Sequence, residues 1–482
     1  MIFEIHAERS ENDKKTFFYD NMSNKLWTED FTFEYPEEQR IKYSSTESFA
    51  FDKHTGFGKS RKINLLKIQL GLSCNYSCDY CSQKFVERPK ETSKKDIENF
   101  MSLLDNLDFD ESLGLKVEFW GGEPFVYWKT MKPLAETLRE RFKHWKKQPH
   151  FSVITNGSIL TNEICAWLYA MDFSIGISHD GPGQPVRGPD PFVDPEKKKV
   201  VLNLYKMLKP SGRISFNSML SSKNTSRKDI YDWFVEFVND NNVVLGEGTL
   251  VDAYDEDGVT NSLNSLKEHF EFRRTAFNDI YSNDGRIGFT GILQKVDEFV
   301  NSVLSHRDAN TLGQKCGMDR QNTIAIDLTG NVLTCQNVSA VETAMNLESH
   351  LAGNISDIDA VNIKSSTHWK KRPDCSNCPV LSICKGACMF LDGKYWETSC
   401  SNSYSDSIAL FALAFEKITN GYIPTFINSD VLPNERKDIW GTVLEHKEQP
   451  KKKVFPIKVV SEKTELDGIE VYTKSQLQEN TK

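Results

Sequence analysis

Six short apolar segments, separated by amphipathic stretches, constrain the fold of most of this chain. They are "LLKIQLGL" from Leu65, "KVEFWGG" from Lys116, "FSVITNG" from Phe151, "FSIGISHDG" from Phe173, "ISFNSML" from Ile214 and "VVLGEGTL" from Val243. Between them lie runs with helical spacing, such as "SKKDIENFMSLLDNL" and "TMKPLAETLRERFKHW". Strands that alternate with helices are joined by crossovers and pair in parallel, which predicts an α/β fold. Six strands are too few for a closed eight-stranded barrel, so we expect a partial (β/α)6 barrel over residues 63–305. In such folds the chemistry gathers at the C-terminal ends of the strands.

Just past the first strand, "CNYSCDYCSQ" sets Cys74, Cys78 and Cys81 at C-x3-C-x2-C spacing. Eleven cysteines occur in 482 residues, and all but Cys165 fall in this group or in one between Cys316 and Cys400. Cys165, in "TNEICAWLYAM", reads as a buried core thiol. The start "MIFEIHAERSENDKK" turns charged too early for a signal peptide, and the longest apolar run, "IALFALAF" from Ile408, is too short for a bilayer. A cytoplasmic protein is expected, where thiols stay reduced and disulfides are a poor use for so many cysteines. With 59 basic and 68 acidic residues the net charge is −9, which argues against a nucleic-acid coat. Metal is the remaining use. Three close thiolates can hold three irons of a 4Fe–4S cube and leave the fourth iron open. Zinc is the alternative, but it needs a fourth ligand and no other Cys or His stands near in sequence.

This stretch resembles the signature of the radical SAM superfamily, C-x3-C-x2-C with an aromatic residue, here Tyr80, before the last cysteine. The resemblance continues in "GGEP", Gly121, Gly122, Glu123 and Pro124, after the second strand, and in "ISHDGPGQPVRG" after the fourth. It implies that the open iron binds S-adenosylmethionine, which the reduced cluster cleaves to a 5′-deoxyadenosyl radical. The glycine loop would hold the methionine amino group, its glycines admitting close approach of a ligand. Ser178 and Asp180 would lie near the ribose and carboxylate, with Arg187 a further candidate. Thr155 and Asn156, in "VITNG", end the third strand at the same mouth. Each piece could alone be turn chemistry. Their order along one strand series favours the family.

The second group runs Cys316, thirteen residues, Gly330, four residues and Cys335, then Cys375-x2-Cys378-x5-Cys384-x3-Cys388, then Cys400. On spacing alone a zinc-ribbon-like site is the alternative. The pattern resembles the SPASM extension of radical SAM enzymes that modify peptides and proteins. The resemblance implies two auxiliary 4Fe–4S clusters: Cys375, Cys378, Cys384 and Cys400 hold the distal one completely. Cys316, Cys335 and Cys388 hold the proximal one, which lacks a fourth cysteine.

These resemblances divide the chain into an N-terminal hairpin-containing segment (1–62), the barrel (63–305), a SPASM domain (306–420) and a C-terminal extension (421–482). They imply an enzyme that abstracts hydrogen from a ribosomally made precursor peptide and installs a cross-link or other oxidative modification. An external electron donor of the flavodoxin or ferredoxin type would reduce it, with no nucleic-acid or membrane partner. Anaerobic sulfatase maturation, which makes formylglycine, is the rival. That chemistry places an Asp base after the cysteine ending the first SPASM pair, and Gln336 stands there. A Gln amide takes no proton at neutral pH. A non-catalytic iron–sulfur electron carrier is the alternative of another class, although a carrier has no need of the cofactor turns. Near the C-terminus, "SYSDSIALFALAFEKITNG" predicts a helix capped at Ser403 or Ser405 and stopped at Gly421. The tail from Pro450 is expected to be an added strand or partly disordered.

Overall fold

In the computed structural model the described residues are 1–43, 57–84, 86, 92–343, 347–363 and 368–441, so the expectation for the tail from Pro450 lies outside them. The chain opens with β1 (Ile2–Ser10), β2 (Asp13–Asp20), β3 (Lys25–Trp27) and β4 (Thr32–Phe33), an antiparallel run. A short β5 (Phe57–Gly58) precedes the six strands of the α/β region. These are β6 (Leu65–Gln69), β7 (Lys116–Trp120), β8 (His150–Thr155), β9 (Phe173–Ser178), β10 (Ile214–Leu220) and β11 (Leu245–Leu250). All six pair in parallel in sequence order, so this region is a partial (β/α)6 barrel.

The strands are two-faced, because successive side chains point to opposite sides. On the outer face Phe119, Phe151 and Phe173 pack ring against ring at 5.4–5.6 Å, and Trp167 of a covering helix adds to the group. The other face is polar. Glu118, Trp120, Ser152, Ser174 and Asn217 line a cavity of about 340 Å³ on the lumen side. The barrel is thus hollow on the side where a closed barrel would be packed with branched apolar residues.

The cysteine-rich region does not stand apart from this sheet. Strand β12 (Thr323–Asp327) lies parallel to β6, and β13 (Asn331–Leu333) and β14 (Leu351–Asn354) follow antiparallel, making nine strands. A two-residue β15 (Asn362–Ile363) pairs with β5. Last comes β16 (Ile423–Asn428), which adds to β1, so both ends of the described chain share one five-stranded sheet.

Between them runs the helix Gly393–Thr419, which starts at Asp392, well before Ser403 or Ser405. Both serines lie inside it. Its first half lacks apolar periodicity because it buries polar groups that have partners. Ser399 Oγ accepts from Ala253 N (2.8 Å), Ser405 Oγ accepts from Arg273 Nε (3.2 Å), and Asp406 pairs with the fully buried Arg227 (2.5 Å). Hydrogen bonds offset the cost of burying such groups, so a helix with a mixed sequence can still sit in a core. The hairpin β1–β2 covers this helix through Phe17 on Phe415 (5.0 Å) and Tyr19 on Phe411 (5.6 Å). Among the described residues no helix is long and apolar enough to cross a membrane.

Candidate active site

The loop that carries Cys74, Cys78 and Cys81 leaves β6 at the C-terminal end of the barrel and is tied down by the turn after β7. Ser73 N donates to Tyr127 Oη (2.7 Å), Glu123 N to Ser73 O (3.0 Å) and Gly122 N to Gly71 O (3.1 Å). A Cβ on Gly122 would lie 2.5 Å from Ser73 O, and one on Gly121 would lie 2.9 Å from Gly71 O. The double glycine therefore admits the backbone of the cysteine loop itself. On the side where a side chain would stand, both glycines meet main-chain oxygen of that loop.

Glu123 is buried and fully used. Its Oε1 accepts from Phe125 N (3.1 Å) and Thr155 Oγ1 (2.8 Å), and its Oε2 from Asn156 N (2.8 Å). Burial raises its carboxyl above the usual range despite these donors. Asn156 Nδ2 then donates to Asn75 Oδ1 (2.9 Å), inside the cysteine loop. Thr155 and Asn156 act here as braces, and Pro124 starts the buried turn that follows. Within the loop, Tyr76 N points at Cys74 Sγ (3.3 Å) and Gln83 N at Cys81 Sγ (3.4 Å), a way of favouring thiolates.

Asp180 is the hub of the opposite wall. Its Oδ2 accepts from Tyr80 Oη (2.5 Å), and its Oδ1 accepts from Arg187 Nη2 (2.8 Å) and Met219 N (2.8 Å). Arg187 lies over the Tyr80 ring at 5.5 Å. Its Nε is buried without a hydrogen-bond partner among the described residues, so this guanidinium keeps a donor for an anionic group. Burial pushes the neighbouring Cys78 thiol up to about 12, even with Arg187 pulling it down. Ser178 ends β9, half-buried at the same mouth. Next to it His179 is stacked between Phe192 and Trp233, both at 4.7 Å, and its Nδ1 accepts from Gly181 N (3.0 Å), which fixes the turn.

The seven later cysteines form two groups. Cys375, Cys378, Cys384 and Cys400 line one small cavity of about 20 Å³, together with Trp396, Tyr404 and Arg436. Trp396 Nε1 is buried there without an acceptor among the described residues, and burial pushes the Cys378 thiol up to about 12. In the second group Cys388 lies near Cys316 and Cys335, with the buried Tyr254 hydroxyl beside it. Cys316 retains accessible surface, yet desolvation pushes its thiol up to about 12. All eleven cysteines are free of disulfides. Among the described residues no group of three or more His, Cys, Asp or Glu is arranged to hold a single metal ion. Thiols that share one region without converging on a point suit a cubane, whose irons spread the ligands apart, better than they suit zinc, where four ligands meet on one point.

Cys335 comes two residues after β13, and its neighbour Gln336 reaches across to the first barrel strand. Lys67 Nζ donates to Gln336 Oε1 (3.4 Å), and Gln69 Nε2 donates to Gln336 O and Val338 O (both 2.7 Å). Sequence reasoning did not find Tyr254, Trp396 or Arg436. None stands in a motif, and each reaches its thiols only through the fold.

Residues 68–220 match the radical SAM superfamily. The chain is 23% identical over 353 residues to the radical SAM cyclopropyl synthase TigE of Paramaledivibacter caminithermalis, covering 68% of each chain. It is 23% identical over 351 residues to a cysteine-type anaerobic sulfatase-maturating enzyme of Clostridium perfringens, covering 68% of this chain and 88% of that one. Among solved structures it resembles native anSMEcpe with bound AdoMet and Kp18Cys peptide, at a TM-score of 0.52 and 19% identity. That match covers 74% of this chain and 99% of the other. With the three-cysteine loop at the barrel mouth and the hub at Asp180, residues 68–220 carry a radical SAM domain, and a cysteine-rich region with two further thiol groups follows it.

Proposed function

We propose that this chain is a maturase that abstracts hydrogen from a ribosomally made peptide and installs a cross-link or another oxidative modification. When bound, the cluster at Cys74, Cys78 and Cys81 and S-adenosylmethionine supply a radical able to attack an unactivated C–H bond. The chain's own residues then do the positioning. Arg187, held by Asp180 and stacked on Tyr80, offers its spare Nε–H to a carboxylate. Glu123, Thr155 and Asn156 keep the cysteine loop rigid from below. The polar lumen, with Glu118 and Asn217, gives backbone amides of an extended peptide hydrogen-bond partners.

The observation that carries this reading is the link from Cys335 to the lumen. Lys67 and Gln69 of the first barrel strand hold Gln336, which ties the residue after Cys335 to the strand face that also carries Glu118 and Trp120. The rival reading, formylglycine formation, is supported by similarity to the sulfatase-maturating enzyme. It requires a proton acceptor at position 336, where the amide of Gln336 receives a hydrogen bond from Lys67. Both readings call for an external one-electron donor of the flavodoxin or ferredoxin type.

One experiment separates them. Reconstituted protein, reductant and S-adenosylmethionine are incubated with either a short peptide encoded beside this gene or a cysteine-containing sulfatase peptide. Mass spectrometry then reads the product. The proposal expects 5′-deoxyadenosine and a mass loss of about two hydrogens on the neighbouring peptide, as a new bond formed by oxidation requires. Formylglycine on the sulfatase peptide alone would overturn it, and absence of 5′-deoxyadenosine would favour the electron carrier.

A further inference from the structure

The C-terminal segment beyond Gly421 has no part in either cysteine motif, yet it delivers one cation to the distal cavity. Arg436 lies in the turn Asn434–Lys437. Its Nη2 donates to Cys400 Sγ (3.4 Å), and its guanidinium lies 4.8 Å over the Tyr404 ring. The turn is fixed without the Arg436 side chain. Tyr404 Oη donates to Arg436 O (2.6 Å), and Arg273 Nη1 donates to Glu435 O and Asp438 O (both 3.1 Å). The side chain is thus delivered to a thiol by a frame that does not depend on it. It enters a cavity where Trp396 Nε1 is a second N–H donor, with no acceptor among the described residues.

We propose that Arg436 sets the reduction potential of the distal site, by an N–H···S hydrogen bond to Cys400 and by its charge. The proposal rests on the reading that Cys375, Cys378, Cys384 and Cys400 hold a cubane. Four thiolates make such a centre anionic, and one further electron makes it more so. A buried cation and a donor at a ligand sulfur both favour the reduced form. One electron enters and no proton needs to follow. Near the proximal group Arg372 lies close to Cys388 and Lys67 to Cys335, so what sets the distal site apart is the direct N–H···S bond from Arg436 to Cys400. Arg436 is therefore a positioning residue for charge: it alters how readily one centre accepts an electron without touching substrate.

The test is a dithionite titration followed by electron paramagnetic resonance, on full-length protein carrying Cys74→Ala, Cys78→Ala and Cys81→Ala. Only the two auxiliary centres then give signals, and the proximal one serves as the internal control. Adding Arg436→Met should lower the midpoint of one signal by at least a tenfold change in equilibrium, about 59 mV for a one-electron couple, and leave the other in place. Arg436→Lys, which keeps the charge but not the fork, should restore part of the shift. An unchanged midpoint would overturn the proposal. So would loss of the distal signal in Arg436→Met with intact circular dichroism, because the arginine would then be a structural brace. If the parent protein binds only one auxiliary cluster by iron and sulfide count, the cubane reading itself fails, which is a different result from an unshifted midpoint.

Discussion

Cys74, Cys78 and Cys81 come from a single loop at the barrel mouth, where Cys74 is exposed. Cys375, Cys378, Cys384 and Cys400 come from two turns and a 27-residue helix, and they surround an inner cavity. The first set leaves one position without a thiol and faces Arg187, whose Nε lacks a partner. The second has four thiols with Arg436 already bonded to one of them. The contrast teaches how one ligand type serves two ends. Three thiols on a loop keep a corner free for a small molecule, whereas four thiols in a hollow bury charge that the protein must balance. The proximal group is intermediate, with three thiols and the Tyr254 hydroxyl beside Cys388.

The comparison can be broken most sharply by removing the open set. Changing Cys74, Cys78 and Cys81 together to Ala should abolish 5′-deoxyadenosine formation while iron falls only from about twelve to about eight per chain, four per cubane. Loss of all iron would mean that the three sites are one cooperative unit. Next in size, Cys335→Ala or Cys388→Ala should leave cofactor cleavage intact in the absence of peptide but reduce modified peptide to a trace. Circular dichroism must first show the variant folded, because metal binding and folding are coupled here.

Asp180→Ala should come third. It strands Arg187 and Tyr80 in a buried wall, a loss of roughly 3–5 kcal/mol if the pair behaves as other buried pairs do. Denaturant unfolding would read the stability, and equilibrium dialysis the weakened S-adenosylmethionine binding. The distal iron should be untouched. Gly122→Ala is expected to be milder, about 1–3 kcal/mol, because an added methyl must push back the main chain at Ser73. It should lower iron loading at the open set alone, and equal loss at both sets would show that the strain spreads through the fold.

The smallest effect concerns acid. His350 bonds through Nδ1 to Thr334, next to Cys335, and His269 through Nδ1 to Ser405, in the helix of Cys400. Burial lowers each from 6.5 to about 4. The unfolded chain therefore takes up these protons first. Stability is full above pH 6.5 and is lost as pH falls toward 4. Both auxiliary groups should shed iron over the same acid window, and visible absorbance against pH would show whether one lets go earlier.

How much of this was written in the sequence varies by region for physical reasons. The strands β6–β11 were legible because one face of each is apolar, and parallel strands joined by helices leave few alternatives. The glycine pair was legible as a turn, but not what it admits, because the oxygen that fills the space comes from Ser73, some fifty residues earlier. The helix Gly393–Thr419 was half legible. Its second part, "IALFALAF", is apolar, whereas its first part buries Ser399, Asn402, Ser405 and Asp406 against partners such as Ala253, Arg273 and Arg227. Periodicity arguments weigh only hydrophobicity, so polar residues satisfied in a core look like surface. Arg436 and Tyr254 were invisible because no spacing rule connects them to the thiols they touch.

The distal cavity is also held from the front of the chain. Asn21 Nδ2 donates to Ser376 O and Cys378 O (both 2.9 Å), and Ser382 Oγ donates to Asn24 Oδ1 (2.8 Å). These bonds span 355, 357 and 358 residues of sequence, while Arg436 arrives from the other end. A growing chain on the ribosome can complete the loop of Cys74 as soon as the barrel strands have emerged. It cannot complete the distal cavity until nearly everything has been made and the first hairpin has docked. Contacts of such long separation form late. The order of metal insertion is thereby written into the topology: the distal centre must be filled on a finished chain, and a truncation at either end should forfeit it first.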